Sequence, residues 1–382
     1  MEKYYCRKFT SLSQVEKIWQ NIEFKSNSNF FQSFFCIKSY LNAEIINNKH
    51  IKKNIIYIVI FKSKDKEPIC LIPLIKKRLL GIWIAEVLGS ETLELFNFQI
   101  KKEFYKDIIE SNLIFIILAK NIKINLILFR NITYIPKNSI SNNSINIFKL
   151  SEKFGLKTKD YSSSEIFNKE LSKRLIKDMK RSERNLQKSG NLNHTTIQND
   201  SLKMRKILKD IINMKSAQLQ KKACKNPLMH SKLLKYYSNL FIFCEDKEAE
   251  KFKYKAQLDL LNLDNKILAA SLSISYKKIF YYLIPVIFGS EFKKYSPGRI
   301  LLNMTIKKAI DIGNKNIDFL IGEENYKERF NGIKYPTYDL AVSFSNRGKF
   351  LGLMIQIYRL IISRIKHFKL LQKILIKFYS FL

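Results

Sequence analysis

The stretch 296–332, SPGRILLNMTIKKAIDIGNKNIDFLIGEENYKERFNG, constrains the fold more than any other part of the chain. Ser296-Pro297-Gly298 is turn punctuation. Ile300, Leu301, Met304, Ala309 and Ile310 then fall near one helical stripe, and Gly313 sits where that helix must stop. The run 317–321 reads as a short buried strand with an acid, Asp318, inside it, closed by Gly322. Glu323, Glu324, Tyr326, Lys327 and Arg329 crowd directly behind. Ionisable groups at the carboxyl end of a buried strand cost desolvation energy unless they are used. In α/β folds that end is a common ligand position.

The surrounding chain supplies the rest of an α/β pattern. Residues 12–40 are helical in pattern with a break near 25–29, and 55–61, 69–75 and 82–88 read as strands. Pro73 inside the second of these suggests an edge strand or a bulge. Residues 103–119 fit a helix and 124–129 a strand. Small polar runs at 138–144 and 160–164 mark a domain junction. Beyond it, 165–188 reads as one long basic helix stopped by Gly190 and carrying Lys173, Arg174, Lys177, Lys180, Arg181, Arg184 and Lys188. Helices at 201–221 and 230–243 precede three strands, 252–263, 267–275 and 279–286. The turns at Asp264-Asn265 and Lys277-Lys278 are short, so these strands pair antiparallel. Residues 337–345 read as a last strand of the second half.

The run DFLIGEENYKERF, behind SPGRILL and a helix, resembles the signature of CelD-like acyltransferases, a branch of the GNAT superfamily associated with cellulose and other exopolysaccharide systems. A weaker likeness extends to the Fem-type aminoacyl transferases, which share a tandem GNAT fold and an aromatic-Lys pair after the same strand, here Tyr326-Lys327. FFQS at 30–33, LIPL at 71–74, VLGS at 87–90 and the basic run 174–190 match the family's other landmarks in order. The resemblance implies an α/β (α+β) tandem GNAT-like fold, with two lobes of mixed sheet flanked by helices. The expected lobes are 1–150 and 151–346, followed by an amphipathic basic helical tail, 347–382.

The same resemblance implies the chemistry. The helix start Ser296, Pro297, Gly298, Arg299, Ile300 becomes the candidate cradle for the phosphates of an acyl-CoA, because free amides and the helix dipole attract anions. An ordinary capped helix is the other reading. Asp318, Glu323 and Glu324 are candidate general bases. Lys327 is the candidate for stabilising an oxyanion or phosphate, and Tyr326 either orders it or packs. The expected reaction moves an acyl group, acetyl first, from acetyl-CoA or another acyl-CoA to an amine of a sugar or cell-envelope precursor, without a metal. The alternatives are a Fem-like ligase dependent on aminoacyl-tRNA, and a non-catalytic, membrane-associated component of a polysaccharide complex.

Composition narrows the setting. The 382 residues suit two domains of ordinary size. Cys6, Cys36, Cys70, Cys224 and Cys244 form no CxxC pair and the four histidines are isolated, which argues against a disulfide framework or a His-ligated metal. With no secretory leader and no apolar run of spanning length, the expected location is cytoplasmic, with peripheral contact at the inner membrane face. The net charge of +35 suits a polyanionic partner, although the joint abundance of Lys, Ile, Asn and Phe is also what A+T-rich coding produces. In the tail, Leu351, Met354, Ile355, Tyr358, Ile361 and Ile362 alternate with Arg359 and Arg364. Contact with an anionic membrane and docking on the protein body are both open readings there.

Overall fold

The computed structural model describes residues 3–43, 53–90, 93–136, 144–221, 230–322 and 325–365. It forms two compact units, Met1–Ser151 with Pro336–Leu382, and Glu152–Tyr335.

The first unit contains β1 (Tyr4–Phe9), β2 (Ile55–Lys62), β3 (Pro68–Leu79), β4 (Ile82–Val87), β5 (Gln99–Ile100) and β6 (Leu126–Ile132). β7 (Ile145–Leu156) begins in it and ends in the second unit, and β13 (Ile333–Ser343) does the reverse. The sheet order is β1-β2-β3-β4-β6-β13, with β5 beside β3. The β4–β6 pair is parallel, and β1–β2, β2–β3, β3–β4, β3–β5 and β6–β13 are antiparallel. One face buries Ile58, Ile60, Ile72, Phe129 and Leu340 against the helix Leu113–Asn121. On the other, Trp19 of the helix Leu12–Lys25 meets Tyr57 edge-on at 6.0 Å between ring centroids.

Several expectations change here. β3 is an interior strand, paired with both β2 and β4. Pro73 is tolerated because β5 flanks β3 only at Cys70–Leu71 and β4 only from Leu74 onward. Its carbonyl accepts from Leu88 N–H at 2.9 Å on that flank, so the missing N–H falls in the gap between the two partners. The helix expected at 103–119 is divided. Asn112, at φ 61°, separates a wide turn at Lys106–Glu110 from Leu113–Asn121. Asparagine adopts this left-handed conformation more readily than most residues.

The last strand is also reassigned. β13 pairs antiparallel with β6, Leu340 opposite Phe129 and Val342 opposite Ile127, so residues 338–343 belong to the first unit. The helix Asn346–Ile365 packs on that same sheet through Leu351 and Ile355, against Ile84, Leu126, Leu128 and Ala341. Its first half is therefore part of the body rather than a separate tail. Residues 366–382 lie outside the described residues.

The second unit holds the end of β7 with β8 (Leu192–Ile197), β9 (Lys255–Leu263), β10 (Lys266–Tyr276), β11 (Ile279–Ile287) and β12 (Asn316–Ile321). The order is β7-β12-β11-β10-β9-β8, with β11–β12 the parallel pair. The helices Ser201–Lys221 and His230–Cys244 pack together, the first against β11 and the second against β9. Three others are Ser164–Glu170, Lys173–Gln187 and Pro297–Asp311. Their apolar residues, among them Phe167, Leu175, Met179, Leu302 and Ile306, share a core with Phe280, Ile317 and Phe319. The single basic helix expected at 165–188 is two, because the Ser172 hydroxyl caps a new start by accepting from Leu175 N–H at 3.2 Å.

Candidate functional site

The second unit's sheet opens at one place. β11 and β12 pair over three positions only, Ile279–Asn316, Phe280–Ile317 and Tyr281–Asp318. β12 then continues to Ile321 against β7, while β11 runs on to Ile287 against β10. Beyond Tyr281 the described residues of the two parallel strands share no further pairing, so the strands part into a wedge. Pro285 lies in this stretch, and a strand with one unpaired flank tolerates a proline. At the far end the Ile287 carbonyl accepts from Gln218 Nε2 at 3.2 Å, a side chain of the helix Ser201–Lys221. β10 carries a bulge between Leu272 and Ser273, opposite the same part of β11.

The helix Pro297–Asp311 starts beside that end of β11. The residue held in the left-handed region is Ser296 (φ 51°, ψ 52°), the N-cap, and not Gly298. Its carbonyl accepts from Arg299 N–H at 2.9 Å. A Cβ on Gly298 would lie 3.1 Å from Ile287 Cγ1, so the missing side chain lets the helix start pack on the last residue of β11. Pro297 at the first helical position lacks an N–H that would be orphaned there anyway. Ile300 is buried in the core with Leu301, Leu261, Leu263, Leu268 and Ala269. Arg299 is half-buried, and Lys293 and Lys294 precede the turn. Of the five expected cradle residues, four shape the helix start and Ile300 anchors it.

The residues expected to do chemistry divide differently. Asp318 is buried, and both its oxygens are engaged: Oδ2 accepts from Lys153 Nζ at 2.8 Å and Oδ1 from Leu320 N–H at 2.9 Å. The second bond spans a bulge in the β12–β7 pairing and a Leu320 held at φ 62°, which is a costly conformation for leucine. Lys327, 2% exposed, donates to the carbonyls of Leu320 at 3.4 Å and Gly322 at 3.2 Å. Its ammonium also lies 5.5 Å from the Phe154 ring centroid. Asp318 and Lys327 thus hold the bent end of β12 from two directions. Lys327 acts through backbone and not as an exposed cation. Tyr326 packs on the core around Phe154 and Phe330, and Arg329 is exposed. Glu323 and Glu324 lie outside the described residues.

Tyr281 and Tyr282 are both buried, and burial pushes the Tyr282 phenol well above its usual range. Lys153 and Gln218 had no sequence signal of their own. Lys153 lies in a strand that the polar junction obscured, and Gln218 sits in an otherwise ordinary helix.

The basic helix forms a second feature. Lys169, Lys173, Lys177, Lys180 and Arg184 line an open groove of ≈440 Å³, floored by Leu171 and Ile176. The half-buried Glu183 carboxyl is raised by desolvation, and the charges of Lys307 and Lys180 oppose the shift. The other basic side chains of this helix face solvent.

Residues 173–328 match the family model described as Acetyltransferase (GNAT) domain. A search of curated proteins finds no match. Among solved structures, FemX matches with a TM-score of 0.55 at 10% identity, over 88% of this chain and 97% of that one. The C-terminal domain (DUF2156) of a protein described as a lysylphosphatidylglycerol synthetase, from Agrobacterium fabrum, matches at 0.52 and 12%, over 90% and 96%. L-PGS from Bacillus licheniformis matches at 0.52 and 10%, over 91% and 96%. At such identities the likeness is one of fold. The chain has a GNAT-type acyltransferase fold, built from mixed sheets flanked by helices.

Proposed function

We propose that this chain is an acyl-CoA-dependent N-acyltransferase of the CelD-like kind, which acylates an amine on a sugar or cell-envelope precursor. The observation that carries the reading is the wedge between β11 and β12, open beyond Tyr281 and ending at the start of the helix Pro297–Asp311. An acyl-CoA pantetheine arm can pair with the free edge of β11, as a strand would. Its phosphates then meet the amide of Gly298, with Lys293, Lys294 and Arg299 supplying charge. The residues present suit the group.

In the reaction the amine nitrogen bonds to the acyl carbon, the C–S bond breaks, and coenzyme A leaves as a thiol once a proton reaches its sulfur. The proton lost by the amine needs an acceptor. Asp318 is committed to Lys153 and Leu320, which leaves Glu323 and Glu324, next after Gly322 in the sequence, as the candidates. Backbone N–H groups along the unpaired edge of β11 are the donors available to the developing oxyanion. Asp318 and Lys327 fix the shape of the wedge's other wall.

The groove at Lys173, Lys177, Lys180 and Arg184 supports an acceptor that carries phosphate, such as a nucleotide- or lipid-linked sugar. The same groove, with the fold shared with FemX, supports the second reading, an aminoacyl-tRNA-dependent transferase. A thermal-shift panel of acyl-CoAs separates them, since a ligand that binds the native state raises its melting temperature. Stabilisation by acetyl-CoA favours the first reading. No response to any acyl-CoA, with stabilisation by aminoacyl-tRNA, replaces it with the second.

A further inference from the structure

We infer that the outward face of the helix Asn346–Ile365 is a docking surface for an anionic lipid bilayer. The helix has two apolar faces. Leu351 and Ile355 press on the sheet of the first unit, and Gly348 fixes the approach: a Cβ there would run into the Asn125 carbonyl oxygen. Arg359 pairs with Asp339 on the same inward side. Phe350, Leu353, Met354, Ile357 and Ile361 occupy the opposite side and are 45 to 66% exposed. Their spacing of three, four, seven and eleven residues from Phe350 confines them to an arc of about 100°. Five large apolar side chains in one stripe differ from the scattered exposed apolar residues of an ordinary surface.

Charge selects the occupant. Arg347 and Lys349, both exposed, stand at the two edges of the arc. No acidic residue occurs in 346–382, whereas Lys366, Lys369, Lys373 and Lys377 follow in the sequence. The chain carries a net charge of +35, so a second copy meets like charge, whereas an anionic bilayer meets its opposite. No described helix is long and apolar enough to cross a membrane, and a face this shallow suits lying in the interface. The helix is held by the body, so binding would orient the first unit on the bilayer rather than tether it loosely.

The test uses the full chain with vesicles of phosphatidylcholine alone and with added phosphatidylglycerol. The expected result is sedimentation with the anionic vesicles, weakened by salt, and a loss of about tenfold or more in the Leu353→Glu/Ile357→Glu variant. Circular dichroism checks that the variant keeps its fold, because both residues are exposed. A Leu353→Trp variant reports the face once the emission of the wild type, which carries Trp19 and Trp83, is subtracted: the difference emission should shift to the blue only when anionic vesicles are added. Wild-type binding that the double Glu variant retains overturns the assignment. So does Leu353→Trp emission already blue-shifted without lipid, which means that protein covers the face. A wild-type dimer that the double Glu variant dissolves overturns it in favour of a second copy.

Discussion

The Asp318 carboxylate lies 2.8 Å from the Lys153 ammonium, across the β12–β7 pair, in an environment that largely excludes water. An acid placed so invites assignment as a general base, yet its second oxygen is held by the amide of Leu320. Asp318→Asn should therefore act mainly on stability, lowering it by roughly 2–4 kcal/mol because Lys153 is left without its counter-charge. The double variant Asp318→Asn/Lys153→Met should recover part of the loss. Urea unfolding of these two variants, of Lys153→Met alone and of the wild type measures the coupling. If Asp318→Asn is as stable as wild type but inactive, Asp318 is the base after all.

Lys327→Met removes the donor from the carbonyls of Leu320 and Gly322 while filling most of the volume. Losing the two bonds at a largely buried site costs about 1–3 kcal/mol. The strand end should relax, so turnover falls together with the melting temperature. A variant that melts like wild type while losing turnover would instead place the ammonium in the reaction.

Gly298→Val should weaken acetyl-CoA binding by about tenfold, because the new methyls displace Ile287 at the end of the wedge. Gly298→Ala asks less of the same contact and should bind nearly normally. Calorimetric titration distinguishes them, and equal affinity for all three proteins removes this helix start from the binding site.

Charge reversal in the basic groove, Lys177→Glu/Lys180→Glu, should raise the acceptor KM by about fivefold or more and leave kcat in place. The difference should shrink as salt rises, since screening removes the term being tested. A salt-independent effect would mean that the helix has moved instead.

Stability should fall on the alkaline side. Burial raises the Cys6 thiol from 9.0 to about 11 and the Tyr57 phenol from 10.0 to about 12. Each group then holds its proton more tightly folded than unfolded. The stabilisation is complete below the unfolded pKa and is lost as pH rises towards the folded value. The urea midpoint should be level to about pH 9 and then fall, and Cys6→Ala should flatten the first part of that fall. A midpoint that does not change between pH 8 and 11 contradicts the burial of both groups.

The helix Pro297–Asp311 and β12 were legible because a turn signal, a helical stripe and a glycine stop agree over one short stretch. What Asp318 does was not legible. Its partner Lys153 is 165 residues away and lies in β7, whose alternating polar residues gave no strong pattern. β1 and β8 were missed for a similar reason: β1 has half-buried and exposed residues between its ends, and β8 alternates between half-buried and exposed positions. The opening of the sheet beyond Tyr281 comes from which strands pair, and no local pattern encodes that. Ser172 looked like an ordinary polar residue within a helix because it is flanked by helical patterns on both sides.

β6 meets its partner β13 late. Phe129 opposes Leu340, and the whole of Glu152–Tyr335 is translated between them. A ribosome adding roughly 5–20 residues per second leaves that flank of β6 without its mate for tens of seconds. The inserted unit can complete its own sheet in that time. The nascent first unit meanwhile presents an apolar strand edge, which is open to pairing with a neighbouring chain. The yield of native protein should therefore depend on how quickly the stretch from Glu152 to the end of β13 is translated.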